Sequence, residues 1–186
     1  MQYNCYTIEE VVWFQNILKN FLGGNMKLQQ LFQMQKTLDQ YIEKNMNIQE
    51  DVFQKKGLAL LIELSELANE TRCFKFWSKK GPSERTVILE EYVDSIHFLL
   101  SLGIARDLED LEEWPAAKVE GELTELFLET SNAILLFLKN PTKESYQKVW
   151  ILYGAIAEKL GFTNEDVLQA YIEKNKTNYE RQKNGY

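Results

Sequence analysis

Glu63-Leu64-Ser65-Glu66 and, after a gap of 24 residues, Glu91-Tyr92-Val93-Asp94 lie in the stretch from Leu58 to Gly103 that decides the fold. Each acidic pair is spaced i, i+3 within a helical pattern. That spacing sets two carboxylates side by side on one helix face. Two such helices packed face to face bring four carboxylates together among Leu, Ile, Val and Phe. Anions without partners are costly there. Divalent cations resolve the conflict most simply, and hard ones such as Mg²⁺ prefer oxygen ligands. The reading from these residues alone is a metal site suited to phosphate chemistry.

Working outward, residues 50–72 form the first carboxylate helix, apolar nearly all round from Leu58 to Leu67 and therefore expected at the centre. Residues 84–103 form the second, with Gly103 expected as the residue just past its end. His97, the only histidine in the chain, extends the carboxylate face by one turn. Between the two helices, Cys73-Phe74-Lys75-Phe76-Trp77-Ser78-Lys79-Lys80-Gly81-Pro82 reads as a loop mixing aromatic faces with lysines. Such a loop either stacks a base and holds phosphates or caps the core with solvated lysines.

Upstream, residues 27–44 show apolar spacing of i, i+3, i+4, i+7 through Leu28, Leu31, Phe32, Leu38 and Ile42. Gln35 and Asp39 lie one turn apart on the edge of that face. Periodicity alone favours the helix surface for them; a pocket is the functional alternative. Residues 1–25 read as a separate N-terminal extension. Thr7 and Glu10 have capping-box spacing before an amphipathic run that Gly23-Gly24 ends. Leu22-Gly23-Gly24-Asn25 also matches what a purine-rich ribosome-binding site encodes, which would make Met26 the true start.

Downstream, residues 105–129 are rich in Asp and Glu and are expected to form a solvated segment leading into a helix from about Glu120 to Lys139. A further helix spans Thr142 to Leu160 and ends at Gly161. Leu126, Phe127, Ile134, Leu135, Leu138, Val149, Leu152 and Ile156 are its and its neighbour's core candidates. Thr163 with Asp166 caps the last helix, on which Lys174, Asn178 and Arg181 share one stripe. Those three side chains suit polyphosphate oxygens, although cations near a helix end also simply complement the dipole.

Composition narrows the classes. At 186 residues with a net charge of −7, the chain is one domain's length and lacks the basic balance of a nucleic-acid binder. Cys5 and Cys73 make no disulfide framework and no CxxC pair, which fits a reduced cytoplasmic setting. Apolar runs such as Ala133 to Leu138 are too short to span a bilayer, and no signal-peptide pattern opens the chain. No period-2 strand, internal repeat or GxxxxGK[ST] loop is found. The expected class is all-α.

The acidic motifs resemble the ExxE…ExxD signature of the all-α nucleotide pyrophosphohydrolases. The words around them are more specific. Leu31-Phe32-Gln33-Met34-Gln35…Leu38-Asp39, Glu63 to Glu70, Phe74-Lys75-Phe76-Trp77, Glu91 to Phe98, and Tyr171-Ile172-Glu173-Lys174-Asn175…Asn178…Arg181-Gln182…Gly185-Tyr186 are similar to the dimeric dUTPases. The resemblance covers most of residues 26–186, a single catalytic domain, and leaves residues 1–25 outside. It implies a helical bundle assembled as a homodimer. The implied reaction is Mg²⁺-dependent hydrolysis of dUTP, and of dUDP, to dUMP, with no nucleic-acid or membrane partner. By resemblance Glu63, Glu66, Glu91 and Asp94 hold metal, and Glu66 also activates the water. Lys174, Asn178 and Arg181 grip phosphates, assisted by Lys75. Gln35 bonds the uracil edge, Asp39 accepts from it or fixes Gln35, Trp77 gives an apolar wall, and His97 lies near the nucleoside. Some relatives carry Asn where this chain has Asp39. A MazG-type enzyme of broader nucleotide choice is the runner-up. A di-iron bundle needs two Glu-x-x-His pairs, which one histidine cannot supply. A purely interacting helical protein is the third alternative.

Overall fold

The computed structural model describes residues 28–185, and the N-terminal helix and start-site expectations lie outside them. Six helices and no strand make up the described residues: α1 (Leu28–Asn45), α2 (Phe53–Thr71), α3 (Arg85–Ile104), α4 (Leu123–Lys139), α5 (Lys143–Leu160) and α6 (Asn164–Lys183). Helices α2 and α3 form the most extensive pair. α4 and α5 form a second hairpin joined to the first through α2, while α1 and α6 pack on α3 and on each other.

The central helix is α3, not α2 as the sequence suggests. On α3, Tyr92, Val93, Ile96, Leu99, Leu100 and Leu102 are all fully buried. On α2 the buried apolar side chains are Phe53 and the stripe Leu60, Leu64 and Leu67, each contributing about 1.5–3 kcal/mol relative to exposure. Leu58 and Ile62 turn outward on the opposite side and stand exposed. Leu135, a core candidate by sequence, is exposed as well, together with Leu128 and Leu136 on the same helix.

Several local signals act as expected. Gly161 ends α5 in the left-handed conformation (φ 69°). Thr163 accepts from the Asp166 backbone N–H, and Asp166 accepts back from Thr163 N–H, a complete capping box. Arg85 donates to Asp166 at 2.8 Å and to the Gly161 carbonyl at 3.1 Å, tying the start of α3 to the α5–α6 turn.

Gly103 departs from expectation. It lies inside α3, which runs on to Ile104. A Cβ there would sit 2.2 Å from the Tyr146 hydroxyl. The missing side chain lets the buried Tyr146 of α5 lie across α3 and donate to the Leu99 carbonyl at 2.9 Å. The glycine therefore serves a close helix approach rather than a turn.

The acidic segment after α3 is only partly solvated. No helix forms before Leu123. Leu111 is buried, and Trp114 packs edge-on against Trp150 at 4.6 Å while donating to the Trp150 carbonyl. Two of the segment's acids are held by cations from helices: Glu109, partly buried, pairs with Lys36, and Asp110 with Lys143. The one cysteine among the described residues, Cys73, is a free thiol. No helix among the described residues is long and apolar enough to cross a membrane.

Candidate active site

A cavity of about 410 Å³ opens where α1, α2, α3 and α6 converge. α1 contributes Gln35 and Asp39, α2 contributes Lys56 and Glu63, α3 contributes Asp94, His97, Phe98 and Ser101, and α6 contributes Lys174, Asn178 and Arg181. The i, i+3, i+4, i+7 spacing on each helix turns these side chains to a common space.

At one end stands the acid cluster. Carboxylate oxygens of Glu63, Glu66 and Glu91 lie within 4.8 Å of one another. Burial, then the Asp94, Glu66 and Glu91 carboxylates, push the Glu63 carboxyl up to about 7. Burial and the Asp94 and Glu66 charges raise Glu91 as well. This donor set, all oxygen and mutually repelling, fits a hard divalent cation. Asp94, the fourth predicted ligand, is engaged differently: Lys174 Nζ lies 2.6 Å from its Oδ2 and 2.9 Å from Glu90. Burial raises the Asp94 carboxyl, against the lowering pull of Lys174. For Lys174, burial is the largest single influence and lowers its pKa, but the hydrogen bonds and charges of Asp94 and Glu90 outweigh it, and the net shift is upward.

At the other end stands a closed polar network. Gln35 and Asp39 are 4% and 9% exposed, so they belong to the cavity wall and not to the helix surface that periodicity favours. Gln35 Nε2 donates to Asp39 Oδ1 at 2.7 Å. Asp39 Oδ2 accepts from the Ser101 hydroxyl and from Lys56 Nζ, the latter at 3.1 Å. Gln35 Oε1 accepts from the Tyr171 hydroxyl at 2.8 Å and lies 2.8 Å from His97 Nδ1. The His97 ring stacks on Tyr171, centroids 4.1 Å apart. Burial, then the Lys174 charge, push His97 down to about 3, so the ring is neutral.

The cavity thus unites Gln35, Asp39, His97, Glu63, Asp94, Lys174, Asn178 and Arg181. Glu66 and Glu91 do not line it but adjoin it through the cluster with Glu63, and Lys75 and Trp77 lie outside. Lys75 bonds Asn69 one turn past Glu66, and Trp77 is 65% exposed, edge-on to Phe74 and Phe76. Lys56, Phe98 and Ser101 line the cavity without having been given a site role by sequence, and Tyr171 stands behind its wall. Lys56 lies seven residues before Glu63, and Ser101 seven after Asp94, so continuing each carboxylate stripe by two turns finds both.

The family model described as dUTPase matches residues 27–186. The chain belongs to this family. It is accordingly an enzyme that hydrolyses dUTP. The search of curated proteins returned no match. In this dUTPase-family chain, the matched segment contains every residue that lines the cavity and all three clustered glutamates.

Proposed function

We propose that dUTP lies along the cavity with uracil toward Gln35, Asp39 and His97 and its phosphates toward Lys174, Asn178, Arg181 and the acid cluster. The observation that carries this is the cavity's polarity. Clustered carboxylates and the α6 cations occupy one end, and a desolvated hydrogen-bonding network occupies the other. Glu63, Glu66, Glu91 and Asp94 would hold Mg²⁺, whose chemistry when bound is to neutralise phosphate oxygens and acidify water. Of the three clustered glutamates, Glu66 is the exposed one, so it takes the proton of the attacking water. The water oxygen bonds to the α-phosphorus, the bond to the bridging oxygen breaks, and its electron pair leaves with pyrophosphate. Lys174 and Arg181 donate to the leaving phosphate oxygens. The same geometry accepts dUDP, releasing phosphate. Lys75 and Trp77 approach from the exposed loop beside Glu66.

A second copy of the chain would cover the exposed aliphatic side chains of adjacent helices, Leu58 and Ile62 on α2 with Leu128 and Leu135 on α4, giving a homodimer. The setting is cytoplasmic, where the enzyme lowers dUTP and supplies dUMP. One experiment tests the reaction: hydrolysis of dUTP, dCTP, dTTP and UTP in ¹⁸O-water with and without Mg²⁺. Label in dUMP, Mg²⁺ dependence and preference for dUTP are expected. Label in pyrophosphate, or equal rates on all four nucleotides, would overturn the proposal. Light scattering on the eluting protein reads the dimer.

A further inference from the structure

The polar end of the cavity has a direction, and one lysine sets it. Asp39 Oδ2 is filled by Ser101 and Lys56. A carboxylate only accepts, so Gln35 must present Nε2 to the remaining Oδ1, as the 2.7 Å contact has it. Gln35 Oε1 then faces Tyr171 and His97. Because Oε1 is also only an acceptor, the proton of the neutral His97 ring must sit on Nδ1. The lone pair is left on Nε2, which is buried and without a hydrogen-bond partner among the described residues. Lys56 is the only cation paired with Asp39 among the described residues, and its side chain is 17% exposed.

We propose that Lys56 is a positioning residue: through Asp39 and Gln35 it fixes His97 as a hydrogen-bond acceptor, and so favours a base that carries a proton on N3. Uracil and thymine carry that proton; cytosine does not. Removing the countercharge leaves a buried carboxylate that is costly. The neutral acid donates as well as accepts, so the Gln35 amide can turn over, and Gln35 Nε2 then donates to His97 Nδ1. The proton moves to Nε2 and the polarity reverses. The preference for the base rests on the reading of this end as the uracil pocket; the polarity itself does not.

The single histidine of the chain makes the test direct. In untagged ¹⁵N-labelled protein, ring-nitrogen shifts report which nitrogen carries the proton. Wild type is expected to show protonated Nδ1 and bare Nε2. Lys56→Met shifts the population to protonated Nε2, Lys56→Arg restores the wild-type pattern, and Glu43→Gln, which removes the other carboxylate on Lys56, leaves it intact. In turnover, Lys56→Met lowers the dUTP-to-dCTP ratio of kcat/KM by roughly tenfold while the dUTP-to-dTTP ratio holds. Should Lys56→Met fail to fold, Asp39→Asn removes the obligate acceptor and reads the same link. Wild type with protonated Nε2, or a Lys56→Met protein with the wild-type pattern, overturns the proposal. Titration with dUMP separates the two readings: correct ring polarity with an unmoved Nε2 overturns the uracil-pocket reading and the base preference, and leaves the Lys56 relay standing.

Discussion

The two ends of the cavity treat charge in opposite ways. Around Asp39 every formal charge meets its counterpart inside the protein: Lys56, Ser101 and Gln35 saturate the carboxylate. Around Glu63 carboxylates crowd each other, and burial together with that crowding pushes its carboxyl up to about 7 against the pull of Lys174. A saturated network holds donors and acceptors in one arrangement, which suits recognition. A crowded set of anions holds unfavourable energy that a cation relieves, which suits chemistry on phosphates. Lys174 stands between the two, pairing with Asp94 at the boundary.

The largest expected effect breaks the acidic end. Glu91→Ala should lower kcat by about 10³-fold or more with the helical circular dichroism unchanged. Glu63→Gln should be equally inactive. In metal-free buffer at pH 8 it should also melt about 2–4 °C above wild type, because it removes one crowded anion. A lower melting point would mean that the glutamates are not in conflict.

Next is the boundary. Lys174→Met should cost roughly 10²-fold in kcat/KM by loss of the charge proposed to contact phosphate. It should also raise the Asp94 carboxyl further, since Lys174 is what opposes its burial. If KM and kcat both stay near wild type, Lys174 serves only Asp94 and Glu90.

The smallest effect sharpens the saturated end. His97 is pushed down to about 3 in the fold, whereas an unfolded histidine titrates near 6.5. Below pH 6.5 the unfolded chain therefore binds a proton that the folded chain refuses. Stability is full above that pH and falls by about 1 kcal/mol per pH unit as pH drops toward 3. The charged and titratable groups around the ring are Lys174 on α6, which adds to the shift, Asp39 on α1 beyond Gln35, and Tyr171 stacked on it. Glu63, whose carboxyl is pushed up to about 7, gains a proton across the same range and stabilises the fold as pH falls, so the His97 slope is read as the difference between His97→Phe and wild type in urea melts between pH 6.5 and 5.5.

Much of this was legible in the residues. The paired acids at i, i+3, the Thr163 cap and the Gly161 stop are local signals, and local geometry suffices to place them. Gln35 and Asp39 were harder. Periodicity assigns a polar residue to the surface, yet Lys56, Ser101, His97 and Tyr171 satisfy these two from three other helices, and no single-helix pattern contains that information. The exchange of centrality between α2 and α3 has a similar cause. Leu58 and Ile62 look like core in a linear count, but only packing decides which stripe of an apolar helix is covered.

Gly103 carries a consequence for anyone mapping this enzyme by saturation mutagenesis. Every replacement adds an atom where the Tyr146 hydroxyl already lies. A survey scored by turnover alone would file this position beside Glu63 and Glu91, although it belongs to neither the acid cluster nor the cavity lining. Scoring soluble yield in parallel separates them: glutamate variants accumulate as inert protein, and Gly103 variants vanish from the soluble pool.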